Sequence, residues 1–277
     1  MNLKISIYFL LLCMFSLNLS HAATGIDIPR SDGKATPVKL YGDWGATNCS
    51  PVIVASHGLG GSERGLSFIG DAFSQKGYRV VVMGHTNVNE KADLRKLIFG
   101  GNKAEIIADQ VKFASRFLDL EATLKYVTQN CSPAHLFLIG HSLGAATTII
   151  EAGAIPNVAQ RGQKRFHAYI ALSQQGVGTL FNEGAWSGIT EPVLMITGTK
   201  DKGVDGDYTT RLSSFDGLPK GQKRLAIIEG ANHMNLGGRR SKQTREVMIE
   251  LIDEFLLQVQ SGSFEPSQVK GVDIREK

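Results

Sequence analysis

Three side chains and two glycine-rich turns carry the chemistry legible in this sequence. Gly140-His141-Ser142-Leu143-Gly144 matches G-x-S-x-G. A serine held that way is a nucleophile when a base takes its proton and nearby N–H groups hold the charge that develops on an attacked carbonyl. His233, in Gly230-Ala231-Asn232-His233-Met234-Asn235, is the candidate base. Asp201, in Thr199-Lys200-Asp201, is the candidate partner that would orient the imidazole, with Asp205 and Asp207 as rivals on the same loop. Asp201 is favoured because it directly follows an apolar run. His57-Gly58-Leu59-Gly60-Gly61 is the candidate oxyanion loop, with the N–H of Leu59 as donor and that of Gly60 as the alternative. His57 itself reads as a structural hydrogen bonder.

These residues need particular elements to hold them. His135 to Ile139 is a continuous apolar run before the serine motif, as expected of a strand buried on both faces, and small residues and helix formers follow it. A strand that turns abruptly into a helix requires glycines beside the turn residue and leaves the serine exposed at a helix N-terminus. Val52–Ser56, Arg79–His85, Phe166–Leu172, Pro192–Gly198 and Lys223–Glu229 are further strand candidates. Helical spacing is readable over about 62–76, over 115–130 (Phe117, Leu120, Leu124, Val127) and over 244–260 (Val247, Met248, Leu251, Ile252, Phe255). Strands alternating with helices predict an α/β fold with a mostly parallel sheet. All parallel strands then end on one rim, which would gather Ser142, Asp201, His233 and the Leu59 loop where ligand sites of such folds form. The chain order Ser…Asp…His is also the one that accompanies a strand-to-helix serine turn.

The remaining segments set the surroundings. Residues 26–43 predict an entry hairpin around the turn Ser31-Asp32-Gly33-Lys34. Residues 86–114 form a long, weakly patterned stretch expected to border the site, with a solvated excursion as the alternative. Residues 173–191 are polar and glycine-rich and too short for a large lid. Trp186 within them either lines a cleft or packs under the loop. Residues 1–22 read as a signal peptide, with Lys4, an apolar run over 5–19, and Ser20-His21-Ala22 at the cleavage site. That predicts a periplasmic or secreted protein without a stable membrane anchor. Residues 23–260 form the expected domain, and 261–277 read as a polar, flexible tail.

The formal net charge is +4, or +3 once Lys4 is removed with the leader. No basic stripe interleaved with aromatics marks a nucleic-acid surface. Histidines are scattered without ligand spacing such as H-E-x-x-H, so neither a metal nor an organic cofactor is expected.

The residues Ser56-His57-Gly58-Leu59-Gly60-Gly61, the helix with Arg116 and Asp119, and Gly140-His141-Ser142-Leu143-Gly144 make the chain resemble the α/β-hydrolases over essentially its whole mature length. More narrowly it resembles the dienelactone-hydrolase-like and platelet-activating-factor-acetylhydrolase-like serine esterases, a group that takes in polyester hydrolases. Dienelactone hydrolases proper use a cysteine nucleophile, and this chain carries Ser142 instead. The resemblance implies an α/β-hydrolase fold with a mostly parallel twisted sheet, helices on both faces and no large lid. It implies a Ser142–His233–Asp201 triad, with the N–H groups of Leu59 and Leu143 as oxyanion hole. It also places the strand at Val52 beside the one at Leu136, which would bring Cys49 and Cys131 within disulfide reach at the opposite end of the sheet. The expected reaction is hydrolysis of a small-molecule or polymeric carboxylic ester. Peptide or thioester hydrolysis, or a non-catalytic binding protein on the same scaffold, are the alternatives. The absence of a large lid suggests an exposed cleft suited to short-chain or bulky esters.

Overall fold

A computed structural model describes residues 23–45, 49–86, 88–204 and 206–277. Residues 1–22, read above as a signal peptide, and Asp205 lie outside the described residues. The described residues build a nine-stranded sheet in the order β1-β2-β4-β3-β5-β6-β7-β8-β9. Its strands are β1 (Thr24–Pro29), β2 (Ala35–Tyr41), β3 (Val52–Ser56), β4 (Arg79–Met83), β5 (Leu136–His141), β6 (Ala168–Leu172), β7 (Val193–Lys200), β8 (Lys223–Asn232) and β9 (Val272–Glu276). Strands β4, β3, β5, β6, β7 and β8 run parallel to one another. The entry hairpin β1–β2 is antiparallel and joins β4, as expected of residues 26–43.

The central strands are apolar throughout because helices cover both faces. On one face, Val52, Val54, Leu136 and Leu138 pack with Phe113, Phe117, Leu120 and Leu124 of α4 (Gln110–Asn130) and with Ala145 and Ile149 of α5 (Leu143–Glu151). On the other, Ile53, Ala55, Phe137 and Ile139 meet Ile69 and Phe73 of α1 (Ser67–Ser74) and Met248, Leu251, Ile252 and Phe255 of α8 (Lys242–Ser261). The alternation of neighbouring residues between two cores is the period of two built into an extended chain.

Three expectations are corrected. The first helix begins at Ser67, not near Ser62, because two tight turns, Gly61 N to Gly58 O and Gly65 N to Ser62 O, come first. Residues 86–114 hold two short helices, α2 (Glu90–Ile98) and α3 (Lys103–Ile107), and the start of α4. The tail at 261–277 is not flexible throughout: β9 pairs antiparallel with the edge strand β8, Val272 and Ile274 pack on the core, and Arg224 holds Glu276 at 2.7 Å. Covering an open sheet edge satisfies its free N–H and C=O groups. Lys277 Nζ also donates to the carbonyls of Phe215, Asp216 and Leu218 at the end of α6 (Tyr208–Asp216).

Cys49 and Cys131 form a disulfide with Cα atoms 5.4 Å apart. β3 and β5 are parallel neighbours with Val52 opposite Leu136, which carries both cysteines to the strands' N-terminal end, away from Ser142.

Candidate active site

Ser142 stands where β5 becomes α5, with φ +56° and ψ −116°. A non-glycine residue holds such a conformation only where its surroundings enforce it. Here the Ser142 N–H donates to Leu172 O of β6 at 2.9 Å. A Cβ on Gly140 would collide with the Gly144 carbonyl, and one on Gly144 with the Ser56 carbonyl. The two glycines of the motif are therefore demanded by the close approach of β5, α5 and β3.

His233 opens α7 (His233–Leu236), a single turn after β8. Asn232 Oδ1 accepts from the N–H groups of Met234 and Asn235, and Asn235 Oδ1 accepts from Asn232 N. This reciprocal cap holds the turn. His141 adds a second anchor, donating from Nε2 to His233 O at 3.0 Å. Burial pushes the His141 imidazolium down to about 3, so this ring is neutral and serves as a fixed donor.

The structure brings Ser142, His233 and Asp201 together. His233 Nε2 lies 3.0 Å from Ser142 Oγ, and His233 Nδ1 lies 3.0 Å from Asp201 Oδ1. Asp201 follows β7 and is fully buried, and its N–H donates to Gly198 O. Thr197 Oγ1 donates to its Oδ2 at 2.9 Å, and Arg211 Nε lies 2.9 Å from the same oxygen. Burial alone would raise this carboxyl, but the His233 hydrogen bond and the Arg211 charge outweigh it and bring it down to about 2. The rival Asp207 is exposed and caps α6, accepting from Thr209 N at 2.9 Å.

Leu59 lines the same cleft as Ser142, Leu143 and His233. Gly58 presses against Ser142: a Cβ there would lie 3.2 Å from Ser142 Cβ. The two candidate N–H groups differ in their partners. Gly60 N donates to Glu90 Oε2 at 3.2 Å, whereas among the described residues the N–H of Leu59 meets no acceptor. Leu143, the first residue of α5, likewise has no intrahelical acceptor for its N–H.

A buried polar network supports this loop. Arg116, fully buried on α4, donates twice to Glu90, Nε to Oε1 and Nη2 to Oε2, both at 2.7 Å. It also donates to His57 O at 2.9 Å and to Ser56 Oγ at 3.3 Å. Asp119 accepts from Arg30 at 2.8 Å, from Thr36 Oγ1 at 2.6 Å and from His85 Nδ1 at 2.9 Å. His57 is the structural hydrogen bonder the sequence suggested: its Nε2 accepts from His85 N at 3.1 Å. Burial holds both rings well below the usual histidine range.

The cleft above these groups has a volume of about 410 Å³. Its apolar wall comes from Leu94 and Leu97 of α2 and Ile106 and Ile107 of α3. Residues 86–114 thus border the site, as the sequence suggested. Trp186 is fully buried against Phe181, with ring centroids 5.3 Å apart, and packs under its loop. Four residues at or under the site were missed in the sequence: Glu90, Ser173, Gln175 and Arg211. Ser173 Oγ lies 2.8 Å from His233 Nδ1, on a backbone with φ +59°. Gln175 lines the cleft. None belongs to a recognisable spacing; a polar residue just past the end of β6 is the one available signal, and Ser173 carries it.

No protein-family model matches the chain, and no curated protein matches it. Solved structures do. A putative dienelactone hydrolase from Klebsiella pneumoniae superposes with a TM-score of 0.62 at 16% identity, covering 86% of this chain and 98% of its own. Est1E from Butyrivibrio proteoclasticus gives 0.60 at 15% identity, covering 86% and 99%. An α/β serine hydrolase without lid from Xanthomonas campestris gives 0.56 at 16% identity, covering 88% and 97%. Sheet order, strand-to-helix serine turn and these superpositions agree: the chain has the α/β-hydrolase fold.

Proposed function

We propose that this protein is a serine hydrolase that cleaves carboxylic esters through a Ser142–His233–Asp201 triad and an acyl-enzyme intermediate. The observation that carries the reading is the unbroken chain of contacts from Ser142 Oγ through the His233 ring to a buried, ionised Asp201. His233 Nε2 takes the hydroxyl proton as Ser142 Oγ attacks the ester carbonyl. Asp201 keeps the other ring nitrogen protonated and stabilises the imidazolium. The N–H groups of Leu59 and Leu143 hold the oxyanion. The alcohol leaves with the proton from His233, and a water activated by the same ring releases the acid.

The acyl or alcohol part of the ester occupies the wall of Leu94, Leu97, Ile106 and Ile107. The Cys49–Cys131 bridge and the leader-like sequence at 1–22 support action in the periplasm or outside the cell, where disulfides persist. A fluorophosphonate probe tests the reading. Intact-mass analysis should show one adduct on the native protein, located on Ser142, and none on Ser142→Ala. A native protein that takes up no probe would refute it.

A further inference from the structure

The triad acid has a second charged partner, which the three-residue mechanism does not use. Arg211 of α6 is 2% exposed. Its Nε lies 2.9 Å from Asp201 Oδ2, its Nη2 donates to Asp201 Oδ1 at 3.4 Å, and its Nη1 donates to Gln174 O at 2.9 Å. Asp201 Oδ1 is the oxygen that faces His233 Nδ1. A guanidinium buried beside the carboxylate that must stabilise an imidazolium opposes that task, so its place calls for an explanation.

We propose that Arg211 is a positioning residue for the triad: it anchors Asp201 against His233 and, by drawing off part of the carboxylate's charge, sets the pH range over which His233 works as a base. The inference rests on the serine-hydrolase reading above. A less electron-rich Asp201 leaves His233 a weaker base, unprotonated at lower pH. Burial makes the effect strong, because neither group is screened by water. Other groups facing His233 are His141 from β5, whose ring centroid is 4.9 Å away, Ser173 beyond β6, and Lys202 and Arg239 on the cleft wall. His141 is neutral, and Lys202 and Arg239 are exposed side chains whose charge water screens. Among the described residues, Arg211 is thus the cation in contact with the acid itself. The Asp201 carboxyl, held at about 2, fits this pairing.

The test is kcat/KM against pH for p-nitrophenyl butyrate with the full chain, Arg211→Gln and Arg211→Lys. Removing the charge should move the acidic limb to higher pH by about half a unit or more, since charges at contact distance shift a neighbour by a unit or so. Arg211→Lys keeps the charge and should keep the limb. A role in packing alone predicts lower activity with the limb unmoved in Arg211→Gln, which would overturn the proposal. If Arg211→Gln shows no cooperative thermal transition, Arg211→Lys decides: a limb displaced by half a unit despite the retained charge overturns it. Should even the native chain fail to turn over the ester, histidine NMR in the Ser142→Ala protein separates the two readings. A His233 titration midpoint that rises on adding Arg211→Gln supports the Arg211 role while the ester reading falls. An unmoved midpoint overturns the Arg211 role.

Discussion

Glu90 and Arg116 grip the Leu59 loop from both sides. Arg116 holds the carbonyls before Leu59, donating to His57 O at 2.9 Å, and Glu90 holds the N–H after it, accepting from Gly60 at 3.2 Å. The two side chains are themselves joined by paired 2.7 Å hydrogen bonds. Between them, the N–H of Leu59 meets no acceptor among the described residues.

Glu90→Ala strands the Arg116 charge in a buried site, and breaking such a pair from one side costs about 3–5 kcal/mol. Thermal denaturation should show a clearly lowered Tm. The loosened loop should lower kcat on an ester by about 10- to 100-fold, short of the 10²–10³ expected when an oxyanion donor is removed outright. Unchanged kcat in folded Glu90→Ala would mean the clamp does not position Leu59.

Three histidines held neutral, the buried His57 and His85 and the half-buried His141, make acid stability a second test. His57 and His85 sit well below the ordinary histidine range and His141 at about 3, each because burial disfavours its charged form. The unfolded chain binds protons on these rings below about pH 6.5 and the folded chain does not, so folding stability falls as pH drops through that value. Asp201, depressed to about 2, adds a further loss only as pH falls from about 4 toward 2, where the unfolded carboxyl protonates first. Tm measured from pH 7.5 to 5 should decline steadily; a flat Tm over that span would contradict the neutral state of these rings.

On the proposed ester-hydrolase reading, the cleft wall sets acyl range. Leu97→Trp fills space between α2 and α3 and should lower kcat/KM for p-nitrophenyl octanoate about 10-fold or more while leaving acetate within about threefold, as one or a few methylenes in an apolar pocket are worth 1–3 kcal/mol. Equal losses on both esters would place the acyl chain elsewhere.

The Cys49–Cys131 bridge spans a sequence separation of 82 residues at the end of the sheet away from Ser142. On chain-entropy grounds its loss destabilises by about 4 kcal/mol. Cys49→Ser/Cys131→Ser should therefore melt well below the native chain, and hydrolysis at 25 °C should keep the native kcat.

The strand-to-helix turn at Ser142 was legible because its glycines and flanking elements are local in sequence, and the gathering of His233 and Asp201 beside it because parallel strands end on one rim. Asp201 and Asp207 differ in anchorage: Asp201 is tied to the end of β7 by Thr197, while Asp207 caps α6, and Asp205 lies outside the described residues. The supporting residues were not legible. Glu90 and Arg116 are 26 positions apart and Arg211 acts on a carboxylate ten positions upstream, so neither pairing leaves a periodic trace. Residues 272–276 did carry an alternating pattern, Val272-Asp273-Ile274-Arg275, which the surrounding polar residues concealed.

The most direct measurement is hydrolysis of p-nitrophenyl butyrate by the native chain beside Ser142→Ala and His233→Ala. The account predicts turnover by the native chain and a fall of about 10⁴-fold or more, toward background, in both variants, because the triad acts as a unit. Turnover that survives either substitution would contradict it, as would a native protein inert toward the ester.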